Sequence, residues 1–340
     1  TTAFPRGTSL GPDGVRSEGS AVTVDLSADA WGAKPEDVPM MRVQLHQSLL
    51  ALADIAVVDV KVMGQELEST GPVQDFTLPQ NVAAPYMLQG NALVRWTNGE
   101  FEVVDDSEEF QLSVPRTPAV PYATSSAPIV VVAAENDLRT VGTETVAATT
   151  LFTGEDLVAP SYDRFDWVWT TPRVSDGTLA AVSSTDSARA ISATWLAGMT
   201  VKAIRVSPGG ERVAIVTSAD GVDSLNVAVV LRDISGAPYS LGDPFSIAPT
   251  LNVVSDVTWV DQTTIGALAA PSASASALLY LISVGGPTRA RPMLAAAESL
   301  TSARSERSIL MVTDEGTLFE RTGAGWRSLD TGVRDPAYSG

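Results

Sequence analysis

No cysteine occurs among the 340 residues. Disulfide staples, thiolate metal sites and cysteine nucleophiles are thereby excluded together. Histidine is nearly missing as well, and the single His46 leaves no histidine pair to hold zinc or iron. Basic residues are few: 22 Lys and Arg stand against 40 Asp and Glu, and the only lysines are Lys34, Lys61 and Lys202. The resulting formal charge of −18 repels phosphate backbones, and no basic run interrupts it, which argues against nucleic acid or anionic lipid as a direct partner. Long apolar stretches are lacking too. The longest, Ala127 to Ala134, has the length of a strand, well short of the ~18 residues of a membrane-spanning helix. No signal peptide is present, and a chain that opens on Thr1 reads as a processed or trimmed fragment. What remains is an apolar content of 44%, ample for a core, with a charged fraction of 18%.

The first seventy residues differ in pattern from the rest. Ala21 to Leu26 (AVTVDL) and Val57 to Val62 (VVDVKV) alternate apolar and polar residues as half-buried strands do. Between them, Asp37 is a candidate N-cap, Pro39 fits the first helical turn, and Met41, Leu45, Leu49 and Leu52 recur as one apolar stripe. The spacing predicts a strand, helix, strand unit, with Gly64 turning the second strand into a hairpin. Residues 1–70 form this first module and residues 71–84, rich in proline and without a period, a linker.

From residue 85 to 340 helical periodicity disappears. Short apolar segments follow one another at Ala92–Trp96, Ile129–Ala133, Trp167–Trp169, Val213–Val216, Asn226–Val230, Leu278–Ile282 and Ile309–Val312, separated by turns such as Asn98-Gly99, Asp176-Gly177 and Asp220-Gly221. Many short strands with frequent turn signals indicate an all-β domain. Proline followed two residues later by an apolar or aromatic residue recurs at Pro118, Pro160, Pro249, Pro292 and Pro336, with gaps of 42, 89, 43 and 44. One lattice of about 44 residues, with a member skipped near Val206, matches the ~40–45 residues of a four-stranded propeller blade. Trp169, Val206, Trp259 and Ala303 trace the same lattice downstream. The expected fold is therefore mainly β: a six-bladed β-propeller, with five to seven blades compatible with the lattice, behind a small α/β domain. A pair of β-sandwiches is the alternative. The strands of Tyr86 to Leu112 lack an inner partner, which the tail at 336–340 can supply.

Chemistry-bearing motifs are sparse. His46 sits off the apolar stripe of its helix, and no Gly-x-Ser-x-Gly elbow exists to complete a triad. Asp105, Asp106, Glu108 and Glu109 (in VDDSEEF) lack the glycine-containing ligand spacing of a calcium loop and read as a solvated turn. Asp220 and Asp223 read as part of a hairpin turn. Ser207-Pro208-Gly209-Gly210 resembles the Ser-Pro-Asp-Gly turn common in bacterial propellers, without the helix that a phosphate cradle requires. Tyr162, Arg164, Phe165, Trp167 and Trp169 crowd one segment. Alternation would place Phe165, Trp167 and Trp169 on one packed face, leaving Tyr162, Asp163 and Arg164 at the start of an inner strand near the channel mouth. These three are the candidate partner- or ligand-binding residues. No residue is assigned to catalysis, a cofactor or a metal. A pair of carboxylates from different blades, as a hydrolase or lyase would use, can be neither assembled nor excluded from sequence, and an aromatic platform for cell-wall glycan around Tyr162 is a further alternative.

Several phrases carry a family likeness. Val22 to Ala28 (VTVDLSA), Gln44 to Leu49 (QLHQSL) and Val58 to Val62 (VDVKV) resemble, in order, the elements of a GerMN (spore-germination type) domain. Leu157 to Asp163 (LVAPSYD), the following Trp167-Val168-Trp169, and the closing Val333 to Gly340 (VRDPAYSG) are similar to phrases of the propeller of the actinobacterial lipoprotein LpqB family. The chain resembles that family over essentially its full length. The resemblance implies a GerMN domain truncated at its N-terminus, since Phe4 to Thr8 falls inside it, and a lipid-bearing cysteine upstream. It further implies a non-enzymatic, extracytoplasmic protein tethered to the outer face of the cell membrane. Its implied partner is the extracellular domain of the sensor kinase MtrB, of the MtrAB two-component system, in envelope maintenance, cell division and drug tolerance. No catalytic residues carry over.

Overall fold

Two alternating segments of the first unit form neighbouring parallel strands, in register from Ala21↔Val57 to Leu26↔Val62. The computed structural model that shows this describes residues 4–18, 21–35, 37–50, 57–67, 84–104, 116–123, 125–142, 146–183, 188–233, 235–293, 297–323 and 325–339, without the side chains of 40, 43, 46–48, 50 and 116. The side chain of His46, the stripe residue Leu52, the acidic run 105–109 and most of the expected linker lie outside the described residues. By contacts the chain divides into two compact units, Thr1–Leu78 and Pro79–Gly340.

In the first unit the helix Val38–Leu50 makes the crossover between the parallel strands. Its Met41 is fully buried against Val22, Val24, Val58 and Val60, with Leu45 and Leu49 packed beside it. That is the apolar stripe at work. Met63 and Gly64 both take positive φ (51° and 79°) and reverse the chain into Gln65–Glu66. An edge strand, Leu10–Glu18, pairs antiparallel with Ala21–Leu26. Its sequence, LGPDGVRSE, is mostly exposed and has no alternation, so nothing in the pattern announces it. It is held partly by Asp25, whose buried carboxylate accepts from the backbone N–H groups of Asp13 (3.2 Å) and Gly64 (2.8 Å). Gly11 is required there, because a Cβ would stand 2.5 Å from Asp25 Oδ2.

The second unit is a succession of antiparallel meanders, designated A to F here. Meander A comprises Tyr86–Gln89, Ala92–Thr97 and Glu100–Val103, with Arg334–Ala337 as its first strand. B comprises Arg116–Ala119, Val130–Ala133, Asp137–Thr140 and Thr150–Thr153, and C comprises Ser161–Tyr162, Val168–Thr170, Thr178–Val182 and Arg189–Ser192. D runs through Thr200–Val206, Arg212–Ala219, Val222–Arg232 and Pro238–Leu241, and E through Val253–Trp259, Thr264–Ala270, Leu278–Ser283 and Thr288–Arg291. F is Ala297–Ser302, Ile309–Thr313, Leu318–Thr322 and Gly325–Asp330. Phe245–Ile247 adds to the third strand of D, and a parallel bridge between Ser192 and Ser240 joins C and D into one nine-stranded sheet.

The apolar cores lie between meanders, not within them. One cluster fills each of the joints A/B, B/C, C/D, D/E, E/F and F/A. A sheet covered on both faces reads as a continuous apolar run, which is why Val130–Ala133, Thr264–Ala270 and Ile309–Thr313 are buried throughout. The unit is a β-propeller. The proline lattice marks its first strands: Pro118 and Pro336 lie inside two of them, and Pro160 immediately precedes a third. The first strand of a meander is its inner edge, where a missing N–H breaks no ladder. The skipped lattice member near Val206 is the strand Thr200–Val206.

The ring closes where Arg334 and Ala337 pair with Leu88 and Tyr86, and Ser339 then bridges in parallel to Val120 of B. The strand thus begins two residues before the expected 336 and ends at Ala337. Its backbone bonds and the burial of Pro336 and Ala337 contribute about 3 kcal/mol. A chain ending at Val333 should therefore melt roughly 6–12 °C lower and elute as aggregates in gel filtration, because Tyr86–Gln89 becomes an open edge. An unchanged melting temperature would show that the ring does not depend on this strand.

Candidate functional site

The turn after Ser161–Tyr162 begins with Asp163, which is entirely buried. Its Oδ1 accepts from the N–H groups of Phe165 (2.8 Å) and Trp167 (3.0 Å). Its Oδ2 accepts from the Trp169 indole N–H (3.0 Å) and from Arg232 Nη2 (2.6 Å) on meander D. The same guanidinium donates to the carbonyls of Gly210 (2.8 Å) and Gly236 (3.0 Å). A charge out of water is tolerable only with such saturation. Asp163 is thus a tie between C and D, placed at the end of an inner strand and not at its start.

Trp167 and Trp169 share the packed C/D face, as alternation requires. Phe165 does not join them. Asp166 turns left-handed (φ 63°), which breaks the alternation and leaves Phe165 45% exposed. Its ring is held between guanidinium groups, Arg232 at 4.4 Å and Arg164 at 5.6 Å from the centroid. Gly210, at φ 76°, makes room for it, since a Cβ there would lie 3.0 Å from the ring. Tyr162 is buried and donates its hydroxyl to the Pro128 carbonyl of B (2.7 Å), and burial pushes its phenol far above the ordinary range. Of Tyr162, Asp163 and Arg164, only Arg164 presents its side chain to solvent. The Tyr162 ring offers no exposed face on which a sugar could stack.

A cavity of about 80 Å³ occupies the axis of the ring, lined by residues of every inner strand, among them Pro118, Ser161, Arg205, Thr258, Thr301 and Pro336. Arg205 is the one charged side chain in this lining among the described residues. It pairs with Asp256 at 3.2 Å, and that carboxylate also accepts from the N–H groups of Val257 (2.8 Å) and Leu300 (3.0 Å). Burial pushes the Asp256 carboxyl upward, while Arg205 and the two donors oppose the shift. The lining therefore supplies hydroxyls, small apolar groups and one internal ion pair.

Three residues that sequence reasoning did not single out shape the end of this axis. Tyr122, on the long connection after the first strand of B, donates its hydroxyl to the Pro208 carbonyl of D (2.7 Å), and Arg304 of F stands 4.9 Å over its ring. Tyr122 thus links B to meanders D and F. Arg232 completes the set by holding Asp163. The one available signal was the length of the 120–129 connection beside the short turns elsewhere. The Ser207–Gly210 phrase is a structural turn, closed by Gly210 N–H to the Ser207 carbonyl (2.8 Å). The Glu211 carboxylate folds into the space a side chain at Gly209 would take.

With this geometry in view, the likenesses to known proteins fall into place. The family model described as the lipoprotein LpqB β-propeller domain matches residues 91–339. No curated protein matches the chain. Among solved structures, one chain of a nidogen/laminin complex is similar at 10% identity and TM-score 0.55, covering 75% of this chain and 98% of that one. TolB from Acinetobacter baumannii is similar at 15% identity and TM-score 0.52, covering 75% of this chain and 66% of that one. Identities this low show the fold alone.

Replacing Asp163 with Ala strands the Arg232 guanidinium and the Trp169 indole, and should cost about 3–5 kcal/mol in urea unfolding. Asp163→Ala combined with Arg232→Met should recover part of that loss. If the single variant is as stable as the wild type, Asp163 is not a structural tie.

Proposed function

Because the chain belongs to the family of the lipoprotein LpqB β-propeller domain, we propose that it is a binding module, accessory to the extracellular domain of a membrane sensor kinase of the MtrB kind. In this reading the meanders A to F are the blades of a six-bladed propeller, and the first unit is a GerMN-like domain. A lipidated cysteine upstream tethers the full-length protein to the outer face of the cell membrane. The signal it serves concerns envelope maintenance and cell division.

One observation carries the reading: the buried carboxylates Asp163 and Asp256 are spent on internal ties. Asp163 is saturated by Arg232 and three N–H donors, and Asp256 by Arg205 and two backbone N–H groups. A hydrolase or lyase would need two carboxylates converging on a shared space, and among the described residues the axial cavity lining holds none. A rigid frame with variable turns at its ends is suited to presenting a surface to another protein.

The test is direct association. Mixed with the kinase's extracellular domain, the purified chain should bind in the micromolar range, as transient signalling contacts do. No association at high micromolar concentration, in low salt and in high, would overturn the proposal.

A further inference from the structure

The ring is electrically lopsided. In a chain with 40 acidic and 22 basic residues, an arginine has a surplus of carboxylates to pair with. Arg95, Arg173, Arg189, Arg291 and Arg327, among others, are paired. Arg164, Arg212 and Arg307 make no ion pair among the described residues, and all three lie at one end of the ring, in or beside the turns that follow the inner strands of C, D and F. Arg164 and Arg307 are exposed, and Arg212 is half-buried with one contact, to the Gln262 carbonyl (3.3 Å). Arg304 adds a fourth guanidinium beside Arg307, over Tyr122.

Several described carboxylates at this end are engaged: Asp163 holds Arg232, Asp233 pairs with Arg189 and caps its own turn through Ser235 and Ala237, and Glu306 is shared by Arg291 and Arg321, while Asp261 keeps its charge and caps its turn through Thr263 and Thr264. Asp166 and Glu211 are left to face solvent against the arginines. The opposite end, formed by the turns between second and third strands and by the entries to the inner strands, exposes Glu155, Asp176, Asp220, Asp243, Asp314 and Glu315. Three arginines that make no ion pair among the described residues, Arg164, Arg212 and Arg307, thus stand at the end of the ring that lies away from this row of exposed carboxylates.

We propose that this arginine-bearing end docks an acidic, apolar-centred surface of a protein partner, with Phe165 as the anchor, Arg164 and Arg212 on its side of the ring and Arg307 on the turn of F across the ring. The proposal deepens the binding role above and rests on it. Charge complementarity names the partner's chemistry, because an acidic surface is repelled by the other end and attracted here. Phe165 is exposed yet pinned from beneath by Arg232, so presenting it costs little ordering entropy. An aromatic ring amid arginines has the composition of an interface hot spot.

The experiment measures binding of the kinase's extracellular domain by calorimetry, at low and moderate salt, to the wild-type chain and to three variants of unchanged melting temperature. Arg164→Glu with Arg307→Glu should weaken binding at least tenfold, and Phe165→Ala about tenfold. Asp314→Lys with Glu315→Lys, at the opposite end, should leave it within twofold. Wild-type affinity should fall as salt rises. If the wild type binds and the arginine and Phe165 variants bind equally well, the docking face is overturned while the accessory role stands. If the opposite-end variant alone loses binding, the partner is basic and the proposal fails. Loss of affinity for anionic phosphatidylglycerol vesicles in the arginine variant, with kinase binding intact, would assign the face to membrane and overturn it too. A wild type that binds no kinase domain removes both the role and the face.

Discussion

Every meander of the second unit buries both of its faces, and a sheet can do so only with a neighbour on each side. A row of sheets always leaves two ends uncovered; a ring leaves none. The pairing of Arg334–Ala337 with Tyr86–Gln89 converts the one into the other. It supplies meander A with its inner strand and brings Met87 and Val94 against Leu310, Val312 and Leu318 of F. The core clusters at the other joints presuppose the same closure, because each fixes a spacing that an open row would relax. The inner strands around the axial cavity are held in place by that constraint.

Within the closed ring, polar groups near the axis do mechanical work. Asp163, Arg205, Arg232 and Asp256 are each committed to partners on neighbouring meanders or on the adjacent backbone. Buried ion pairs contribute little net stability compared with apolar packing, but leaving one partner alone is costly, so they act as registers that reject a shifted arrangement. The turns are free of these commitments, and their sequence varies from meander to meander in length and charge.

Much of this was legible from residue order. Alternation located Ala21–Leu26 and Val57–Val62, because one face of that sheet is covered by a helix and the other is not. Buried runs such as Ile309–Thr313 were readable as strands by their length and bounding turns, and prolines located the inner strands because those are edges. The edge strand Leu10–Glu18 was hidden, since it buries almost nothing and leaves no apolar rhythm. The neighbourhood of Tyr162 was half readable. Asp163 stood out beside its aromatics, but its engagement depends on Arg232, distant in the chain and next to it only once two meanders pack. Phe165 was misplaced by an alternation rule that a left-handed Asp166 suspends. Tyr122 and Arg304 meet from meanders on different sides of the axis, a relation that no local pattern encodes.

The joint between C and D is fastened twice over, by Asp163 and Arg232 near the axis and by the parallel bridge of Ser192 with Ser240 at the rim. A joint clasped at both its inner and outer margins cannot gape at one while the other holds. The two sheets should therefore exchange their amide protons with solvent as one cooperative block.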